Sequence, residues 1–212
     1  MERIQLLTKI VLVRHGHVEG IDPPRFRGRE DLPLTERGKA QASRVARRIA
    51  EKWRPASVYT SPLIRCVRTA SAIADACQIP SLAIDQLADI DYGDWQMKTY
   101  DEMKATEPSL FASWFAAPHL MRFPGGESLQ KLASRAADGL RLALERHPDQ
   151  TVVLVAHDSV NRALLVQLAD MPLSAYWRLA QDPCCINEID IAGVHIQVCC
   201  INDTAHLEGL DP

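Results

Sequence analysis

The sequence contains no long apolar run and no strong excess of charge of either sign. No uninterrupted apolar stretch approaches the roughly 18 residues that a membrane-spanning helix needs. Charged residues are 24% of the 212, and the formal net charge is only -3. This balance gives no general attraction to nucleic acid or to an anionic membrane, so an anionic ligand must be held by local positive charge. Gln5 and Lys9 interrupt the amino-terminal segment, and we therefore expect no secretory leader and a cytoplasmic protein.

The six cysteines lack the spacing of a small disulfide-stabilised secreted domain. Two fall in a helical pattern and the others form two adjacent pairs, namely Cys66 and Cys77, then Cys184 with Cys185 and Cys199 with Cys200. A hairpin about Ala192-Gly193 would bring the two pairs together. Neighbouring residues of a strand point to opposite faces, however, so the four thiols cannot easily converge on one metal ion. We expect reduced thiols, no metal and no disulfide.

Hydrophobic residues make up 47% of the chain, which is enough for one sizeable core. Unbroken, mostly β-branched runs at residues 10–13 and 151–156 predict strands that are buried on both faces of a sheet. Residues 42–53 and 129–144 carry apolar side chains at the spacing of an amphipathic helix, and 81–87 is a weaker strand candidate. This mixture of buried strands and amphipathic helices is typical of an α/β protein.

The two buried strands each end in a histidine. Arg14, His15 and Gly16 follow the first strand, and His157 follows the second, immediately before a predicted helix. Open α/β sheets bind ligands at the carboxyl ends of parallel strands. Arg14 suits a phosphate or carboxylate because its planar fork donates two parallel hydrogen bonds, and a neutral His15 is nucleophilic. An arginine and a histidine that merely cap a strand are the alternative, but the repeated layout favours a site.

Two further sets of cations are candidates for binding the same anion. Ser61-Pro62 is the expected N-cap and first position of a helix, which places Arg65 in its opening turn beside free backbone N–H groups. Arg25, with Arg27 and Arg29, belongs to a polar loop that can present positive charge to the same ligand. The alternatives are an exposed helical arginine and a loop whose arginines pair with the acidic residues that follow them.

A later loop carries aspartates that can donate a proton to a leaving group. Asp89, Asp91 and Asp94 lie close together there, and turn formation is the commoner role of such residues. Residues 96–123 follow, with two expected helices and several aromatic side chains. We interpret this segment as a helical insertion that covers the site, although a satellite core cluster is the simpler explanation of the aromatics.

Six segments, taken in order, resemble the histidine phosphatase superfamily, the phosphoglycerate-mutase-like proteins. They are L-V-R-H-G at 12–16, R-F-R-G-R-E-D-L-P-L-T-E-R-G-K-A-Q-A at 25–42, S-P-L-I-R-C-V-R-T-A at 61–70, Y-G-D-W at 92–95, P-G-G-E-S at 124–128 and V-L-V-A-H-D-S-V-N-R-A-L-L at 153–165. The resemblance implies a three-layer α/β/α sandwich, in which a mostly parallel sheet carries helices on both faces. It also implies a single domain over residues 1–212.

The resemblance further implies a covalent phosphohistidine mechanism in which His15 attacks phosphorus. Arg14, Arg65 and His157 would complete the phosphate pocket, and Arg25 would contact the substrate. Such chemistry depends mainly on positioning and electrostatic stabilisation, so this pocket needs no metal and no cofactor. The implied enzyme is a metal-independent phosphomonoesterase, in the phosphatase branch of the family, acting on a small phosphorylated metabolite.

Several positions depart from the family pattern. Asp89 stands where the small phosphatases usually carry Glu, three residues before the aromatic-Gly pair, so either Asp89 or Asp91 is the expected proton donor. His17-Val18 replaces the usual E-T or E-S after the first motif, Gln96-Met97 replaces E-G, and Asp158 replaces Gly. These departures leave the reaction in place and the substrate open.

Two other functions stay open from the sequence. One is a phosphoglycerate mutase or another phosphotransfer enzyme, although dedicated mutases of this family are usually longer and carry G-E-S after the nucleophile. The other is a non-enzymatic binding or regulatory protein on the same fold. Asp89 in place of Glu keeps that function open, whereas the retained arginines and histidines argue against it. The oligomeric state is also open, a homodimer included.

Overall fold

A six-stranded sheet forms the centre of the computed structural model, which describes residues 7–210. The strands are β1 (Thr8–Arg14), β2 (Pro55–Thr60), β3 (Ser81–Ala83), β4 (Thr151–Ala156), β5 (Ile186–Ala192) and β6 (His195–Asp203). They lie in the order β3-β2-β4-β1-β5-β6. Strands β1 to β4 run parallel, and β5 and β6 continue the sheet antiparallel. The expected absence of a leader falls partly on residues 1–6, which lie outside the described range.

Helices cover both faces of this sheet. They are α1 (Glu36–Lys52), α2 (Ile64–Cys77), α3 (Tyr100–Thr106), α4 (Pro108–Ala116), α5 (Leu129–Arg146) and α6 (Asp158–Leu168). Val11 and Val13 of β1 pack with α1 and α2 on one face, while Ile10 and Leu12 pack with α5 and α6 on the other. Because β1 is buried on both faces, its run is apolar without alternation. The predicted three-layer, mostly parallel architecture is confirmed.

The start of α2 differs from the prediction. The helix begins at Ile64, and Ser61-Pro62 precedes it in a separate turn. The Ser61 hydroxyl accepts the N–H of Leu63 at 3.3 Å, and the carboxylate of Asp31 accepts the N–H of Ile64 at 2.6 Å. A side chain from a distant loop therefore caps α2, and local sequence could not show this.

The strand predicted at 81–87 is also shorter than expected. β3 spans Ser81–Ala83, and a single 3-10 turn at Asp85–Leu87 follows it. All three residues of β3 are exposed at the sheet edge, whereas Leu87 is fully buried beneath α5. Burial of Leu87 thus turns the chain away from the sheet after three residues.

The carboxyl-terminal hairpin forms as predicted, with β5 and β6 turning at Gly193, whose φ is +61°. All six cysteines are free thiols: Cys184 and Cys185 are buried before β5, and Cys199 is exposed on β6. Within residues 7–210, no three His, Cys, Asp or Glu side chains are grouped so as to hold a metal ion. In the same range, no helix is both long and apolar enough to cross a membrane.

Candidate active site

Two histidines meet where β1 and β4 end. These neighbouring parallel strands pair Arg14 with Ala156, so the residues that follow, His15 and His157, emerge side by side. Their ring centroids lie 5.1 Å apart with the planes at 65°, and each residue is only 1% exposed. The structure therefore brings together the two strand-end histidines that the sequence singled out.

The surroundings of His15 favour a neutral ring with one free nitrogen. Its Nδ1 lies 2.7 Å from the carbonyl oxygen of Gly16, which calls for a proton on Nδ1 and leaves the lone pair on Nε2. Burial lowers the pKa of His15 well below its ordinary value, and the neighbouring charges of Arg65 and Arg14 lower it further. Gly16 is required here, because a Cβ would lie 2.5 Å from the carbonyl oxygen of Gly38.

A series of buried hydrogen bonds through Gln181 and Asn187 holds Arg14 in place. One Nη1 hydrogen bond goes to the carbonyl oxygen of Gln181, and the Gln181 side chain donates to Asn187 at 2.7 Å. The Nε atom of Arg14 is buried and has no hydrogen-bond partner among the described residues. Buried donors normally have partners, so this unpartnered N–H is a candidate contact for a bound anion.

Arg65 is fully buried and contacts both Asp89, the candidate proton donor, and His157. Its guanidinium donates to the carbonyl oxygens of Glu30 and Gly28 at 2.6 and 2.7 Å. It also donates to Asp89 Oδ2 at 3.0 Å and to His157 Nδ1 at 3.3 Å. The alternative of an exposed helical arginine is wrong. The N–H of Ile64 at the start of α2 is already bonded to Asp31, so the expected anion binding there rests mainly on the Arg65 guanidinium.

Of the two aspartates that the sequence left open, only Asp89 reaches the site. Its Oδ2 lies 3.0 Å from Arg65 Nη2 and 3.3 Å from His157 Nδ1, and its Oδ1 accepts the hydroxyl of Ser159. The carboxylate of Asp91 instead accepts a backbone N–H two residues along the same turn, at 3.0 Å. The geometry therefore favours Asp89 over Asp91 as proton donor.

A small pocket opens in front of His15. Its lining consists of His15, Arg25, Arg27, Gly28, Asp89, Tyr92, Tyr100, Asp158, Ser159 and Trp177. Arg14, Arg65 and His157 do not belong to this lining; each is buried, and Arg65 and His157 contact its Asp89.

Two of the three loop arginines line the pocket, and the third lies behind it. Arg25 lines the pocket, and its Nη1 donates to the carbonyl oxygen of Met97 at 3.0 Å. Arg27 also lines the pocket, and its buried Nε has no partner among the described residues. Arg29 turns behind the site, where its Nε lies 3.4 Å from the carbonyl oxygen of Asp89. The loop is therefore not one cluster of charge paired with itself.

One wall of the pocket is aromatic. Tyr100 at the start of α3 and Trp177 both line it, and the Trp177 indole donates to the carbonyl oxygen of Trp114 in α4 at 2.8 Å. Residues 96–123 thus supply Tyr100 and support Trp177, in addition to packing into the core. Their role as an insertion that covers a bound substrate stays a prediction.

Sequence reasoning missed several residues of the site. Ser159 had a recognisable signal, because it follows His157 by two residues in the first turn of α6. Gln181 and Trp177 had none, since they come from a segment without a motif and reach the site only through packing. Arg27 was noticed only as a neighbour of Arg25.

The site carries positive charge although the whole chain does not. Four arginines, Arg14, Arg25, Arg27 and Arg65, surround two acidic side chains, those of Asp89 and Asp158. Burial lowers the pKa of His157 well below its ordinary value, and Arg65 lowers it further, so the imidazole is neutral near pH 7. The arginines therefore supply the positive charge, which suits a phosphoryl group.

The profile of the histidine phosphatase superfamily (branch 1) matches residues 10–204. The chain belongs to this superfamily. It is 33% identical over 201 residues to phosphoserine phosphatase 1 of Hydrogenobacter thermophilus, covering 95% of each chain. It is also 33% identical over 164 residues to a metal-independent phosphoserine phosphatase of Arabidopsis thaliana, covering 76% of this chain and 69% of the relative. A probable phosphoglycerate mutase GpmB of Cronobacter sakazakii is 30% identical over 184 residues, covering 87% and 85%.

Solved structures of this superfamily share the fold. YhfR of Bacillus stearothermophilus superposes with a TM-score of 0.89 at 31% identity, covering 95% of this chain and 100% of that one. These relatives confirm the predicted histidine phosphatase family, its fold and the phosphatase class of hydrolase.

Proposed function

We propose that this histidine phosphatase is a metal-independent phosphomonoesterase that forms a covalent phosphohistidine at His15. One observation carries the proposal furthest. A neutral His15, whose Nδ1 is engaged by a carbonyl oxygen, lines a pocket surrounded by arginines. An imidazole with a free Nε2 lone pair is a nucleophile, and the arginines stabilise the charge of the phosphoryl group that it attacks.

In the first step the phosphoryl oxygens bind to Arg27 at the pocket wall and reach Arg14 and Arg65, which are buried behind it. His157 exchanges its hydrogen bond to the Ser61 hydroxyl for one to a phosphoryl oxygen. Nε2 of His15 attacks phosphorus in line while the bond to the ester oxygen breaks. Asp89, in its protonated form, transfers its proton to that oxygen, which leaves as an alcohol.

In the second step water replaces the alcohol. Asp89, now a carboxylate, takes a proton from the water while the water oxygen attacks phosphorus and the P–N bond to His15 breaks. Inorganic phosphate leaves, Nε2 regains its lone pair and Asp89 is protonated again.

O-Phosphoserine is the substrate to test first. Two relatives at 33% identity bear the name phosphoserine phosphatase. Arg25 at the pocket wall can bind a substrate carboxylate, and the carboxylate of Asp158 can face an ammonium group. Asp158 also pairs with Arg162 at 3.0 Å, so an ammonium group would share that carboxylate with the arginine.

Phosphoglycerate mutase is the second candidate, because one relative at 30% identity is named a probable mutase. A mutase must keep the phosphoryl group on His15 until it returns to the substrate, and water must stay out. Conversion of 3-phosphoglycerate to 2-phosphoglycerate, faster than release of phosphate, would favour the mutase.

The test of the proposed function is phosphate release from a panel of phosphomonoesters by wild type and His15→Ala, with and without EDTA. The panel holds O-phosphoserine, 3-phosphoglycerate, sugar phosphates and p-nitrophenyl phosphate. We expect activity that resists EDTA, is lost in His15→Ala, and leaves an acid-labile phosphoryl label on the wild-type protein during turnover.

The matched control is His17→Ala. His17 lies two residues further on, and its Nδ1 contacts the Thr35 hydroxyl at 3.0 Å outside the pocket. It should retain most of the activity. Activity that survives in His15→Ala would refute the phosphohistidine mechanism, and activity abolished by EDTA would refute metal independence.

A further inference from the structure

The loop that carries Asp89 has little regular structure of its own. Between β3 and α3 the described chain forms only two single 3-10 turns, at Asp85–Leu87 and Gly93–Trp95. A proton donor must nevertheless be held within hydrogen-bond reach of the leaving oxygen. Contacts from elsewhere in the molecule must therefore fix the backbone around Asp89.

Arg135 of α5 supplies most of these contacts. Its Nη1 donates to the carbonyl oxygens of Gln86 and Ala88 at 3.1 and 2.5 Å, and its Nη2 donates to that of Asp89 at 2.8 Å. The planar guanidinium thus binds two carbonyl oxygens that precede Asp89 and the carbonyl oxygen of Asp89 itself. A lysine could not reproduce this geometry, because its ammonium is a compact group without a planar fork.

Glu127 completes the arrangement on the other side. This residue is only 2% exposed, and its carboxylate accepts from Arg135 Nη2 at 2.6 Å and from Nε at 3.2 Å. The same carboxylate accepts the backbone N–H of Asp91 at 2.9 Å. The Arg135–Glu127 pair therefore forms hydrogen bonds to the backbone both before Asp89, at Gln86 and Ala88, and after it, at Asp91.

The turn that carries Glu127 docks directly against the same loop. The N–H of Glu127 donates to the carbonyl oxygen of Asp91 at 3.0 Å. A Cβ on Gly126 would lie 2.4 Å from the Asp91 carbonyl oxygen, and a Cβ on Gly93 would lie 2.1 Å from that of Pro124. Backbone therefore packs on backbone, which explains why the P-G-G-E motif needs its small residues.

We propose that Arg135 and Glu127 are positioning residues that hold Asp89 in place for proton transfer. The proposal rests on the proposed role of Asp89. Neither residue lines the pocket in front of His15. Arg135 contacts the Asp89 backbone directly, and Glu127 contacts Arg135 and the backbone N–H of Asp91, two residues further on. A buried ion pair is not by itself a gain in stability, so a positioning role explains the pair better than stabilisation does.

The first experiment compares Arg135→Lys with wild type on two substrates. One is the best alkyl phosphate of the panel, whose leaving oxygen needs a proton, and the other is p-nitrophenyl phosphate, whose leaving group does not. We expect kcat for the alkyl ester to fall about tenfold or more while kcat for the aryl ester falls less than about threefold. KM should change little, because Arg135 does not touch the substrate.

The second experiment repeats the substitution in an Asp89→Asn background. If Arg135 acts through Asp89, Arg135→Lys should cost no further activity there, because the two effects are not additive. Arg141→Lys is the matched control on the same helix: Arg141 is exposed and pairs with Asp138 at 2.7 Å. It should leave both substrates unaffected.

Glu127→Gln tests the same idea if Arg135→Lys does not fold, since glutamine keeps the shape and removes the charge. It should show the same difference between the two esters. Equal losses on both esters, or a full additional loss in the Asp89→Asn background, would overturn the positioning role. Failure of the proposed function is a separate result, because His15→Ala would then retain the wild-type activity.

Discussion

His15 and His157 are both buried imidazoles at strand ends, but their nitrogen atoms contact different groups. Among the described residues, only the Nδ1 atom of His15 has a hydrogen-bond partner, the carbonyl oxygen of Gly16. His157 lies with Nδ1 3.3 Å from both Arg65 and Asp89 and with Nε2 2.7 Å from the Ser61 hydroxyl. Polar groups at both nitrogens suit His157 to hold a hydrogen bond rather than to attack phosphorus.

At the residue scale, we predict different kinetic effects for Arg27→Met and Arg25→Met. The Arg27 Nε is buried and unpartnered among the described residues, so losing it should lower kcat/KM by about 10²-fold, as for loss of an oxyanion-hole donor. Arg25 already donates to Met97, so its loss should mainly raise KM. Steady-state kinetics on O-phosphoserine measures both.

Arg68→Met serves as control, because Arg68 is an exposed residue of α2. It should behave like wild type. Equal effects of Arg25→Met and Arg27→Met would contradict the distinction between a phosphoryl contact and a contact to the rest of the substrate.

At the scale of elements, the start of α1 determines the path of the chain after His15. The Thr35 hydroxyl caps α1 by accepting the N–H of Gly38 at 3.1 Å, and the Gln41 side chain accepts the N–H of His17 at 2.8 Å. A Cβ on Gly38 would lie 2.1 Å from the carbonyl oxygen of His17. The helix therefore packs in backbone contact with the turn that carries the proposed nucleophile.

We predict that Gly38→Ala lowers the free energy of unfolding by about 1–3 kcal/mol, the usual cost of forcing a methyl group into a close-packed contact. Activity should fall as well, because the turn after His15 must move. Urea denaturation and phosphate release measure the two effects. Ser43→Ala, at an exposed position of the same helix, should cost neither stability nor activity; a Gly38→Ala variant as stable as Ser43→Ala would contradict the close contact.

At the scale of the whole molecule, the protein buries histidines, whose ordinary pKa lies below about 7, and cysteine thiols, whose ordinary pKa lies above about 8. Burial lowers the pKa of His15 and of His157, and it raises the pKa of the Cys66 and Cys184 thiols. The folded protein therefore resists protonation of the histidines at acid pH and deprotonation of the thiols at alkaline pH. The unfolded chain resists neither.

Stability should consequently be greatest near pH 7 to 8. Below the unfolded histidine pKa of about 6.5, the unfolded state binds more protons than the folded state, so the free energy of unfolding falls as pH decreases. Above the unfolded cysteine pKa of about 8.5, the unfolded state binds fewer protons, so it falls as pH increases. Urea midpoints at pH 5.5, 7.5 and 9.5 measure the acid limb of this stability curve, below pH 7.5, and the alkaline limb, above it.

The exposed residue His195 provides a control, since His195→Asn should leave the acid limb unchanged. Cys66→Ala should reduce the alkaline limb. A urea midpoint that stays constant from pH 7.5 to 5.5 would contradict the burial of two neutral histidines.

Local sequence patterns predicted the central strands and two of the long helices. The β-branched runs that became β1 and β4, and the apolar stripes that became α1 and α5, follow from burial alone. Because His15 and His157 directly follow those two strands, their presence in one site required only that the strands be neighbours. The ordered motifs supplied the family for the same reason: each is a short stretch of consecutive residues.

Tertiary structure alone decided what consecutive residues could not. It placed Arg25 and Arg27 at the pocket and Arg29 behind it, brought Asp89 but not Asp91 to the site, and capped α2 with Asp31. It also brought Arg135 and Glu127 behind the Asp89 loop, from a helix and a turn roughly forty residues away in sequence. The direction of a side chain depends on which buried polar groups need a partner, and those groups meet only when the chain is folded.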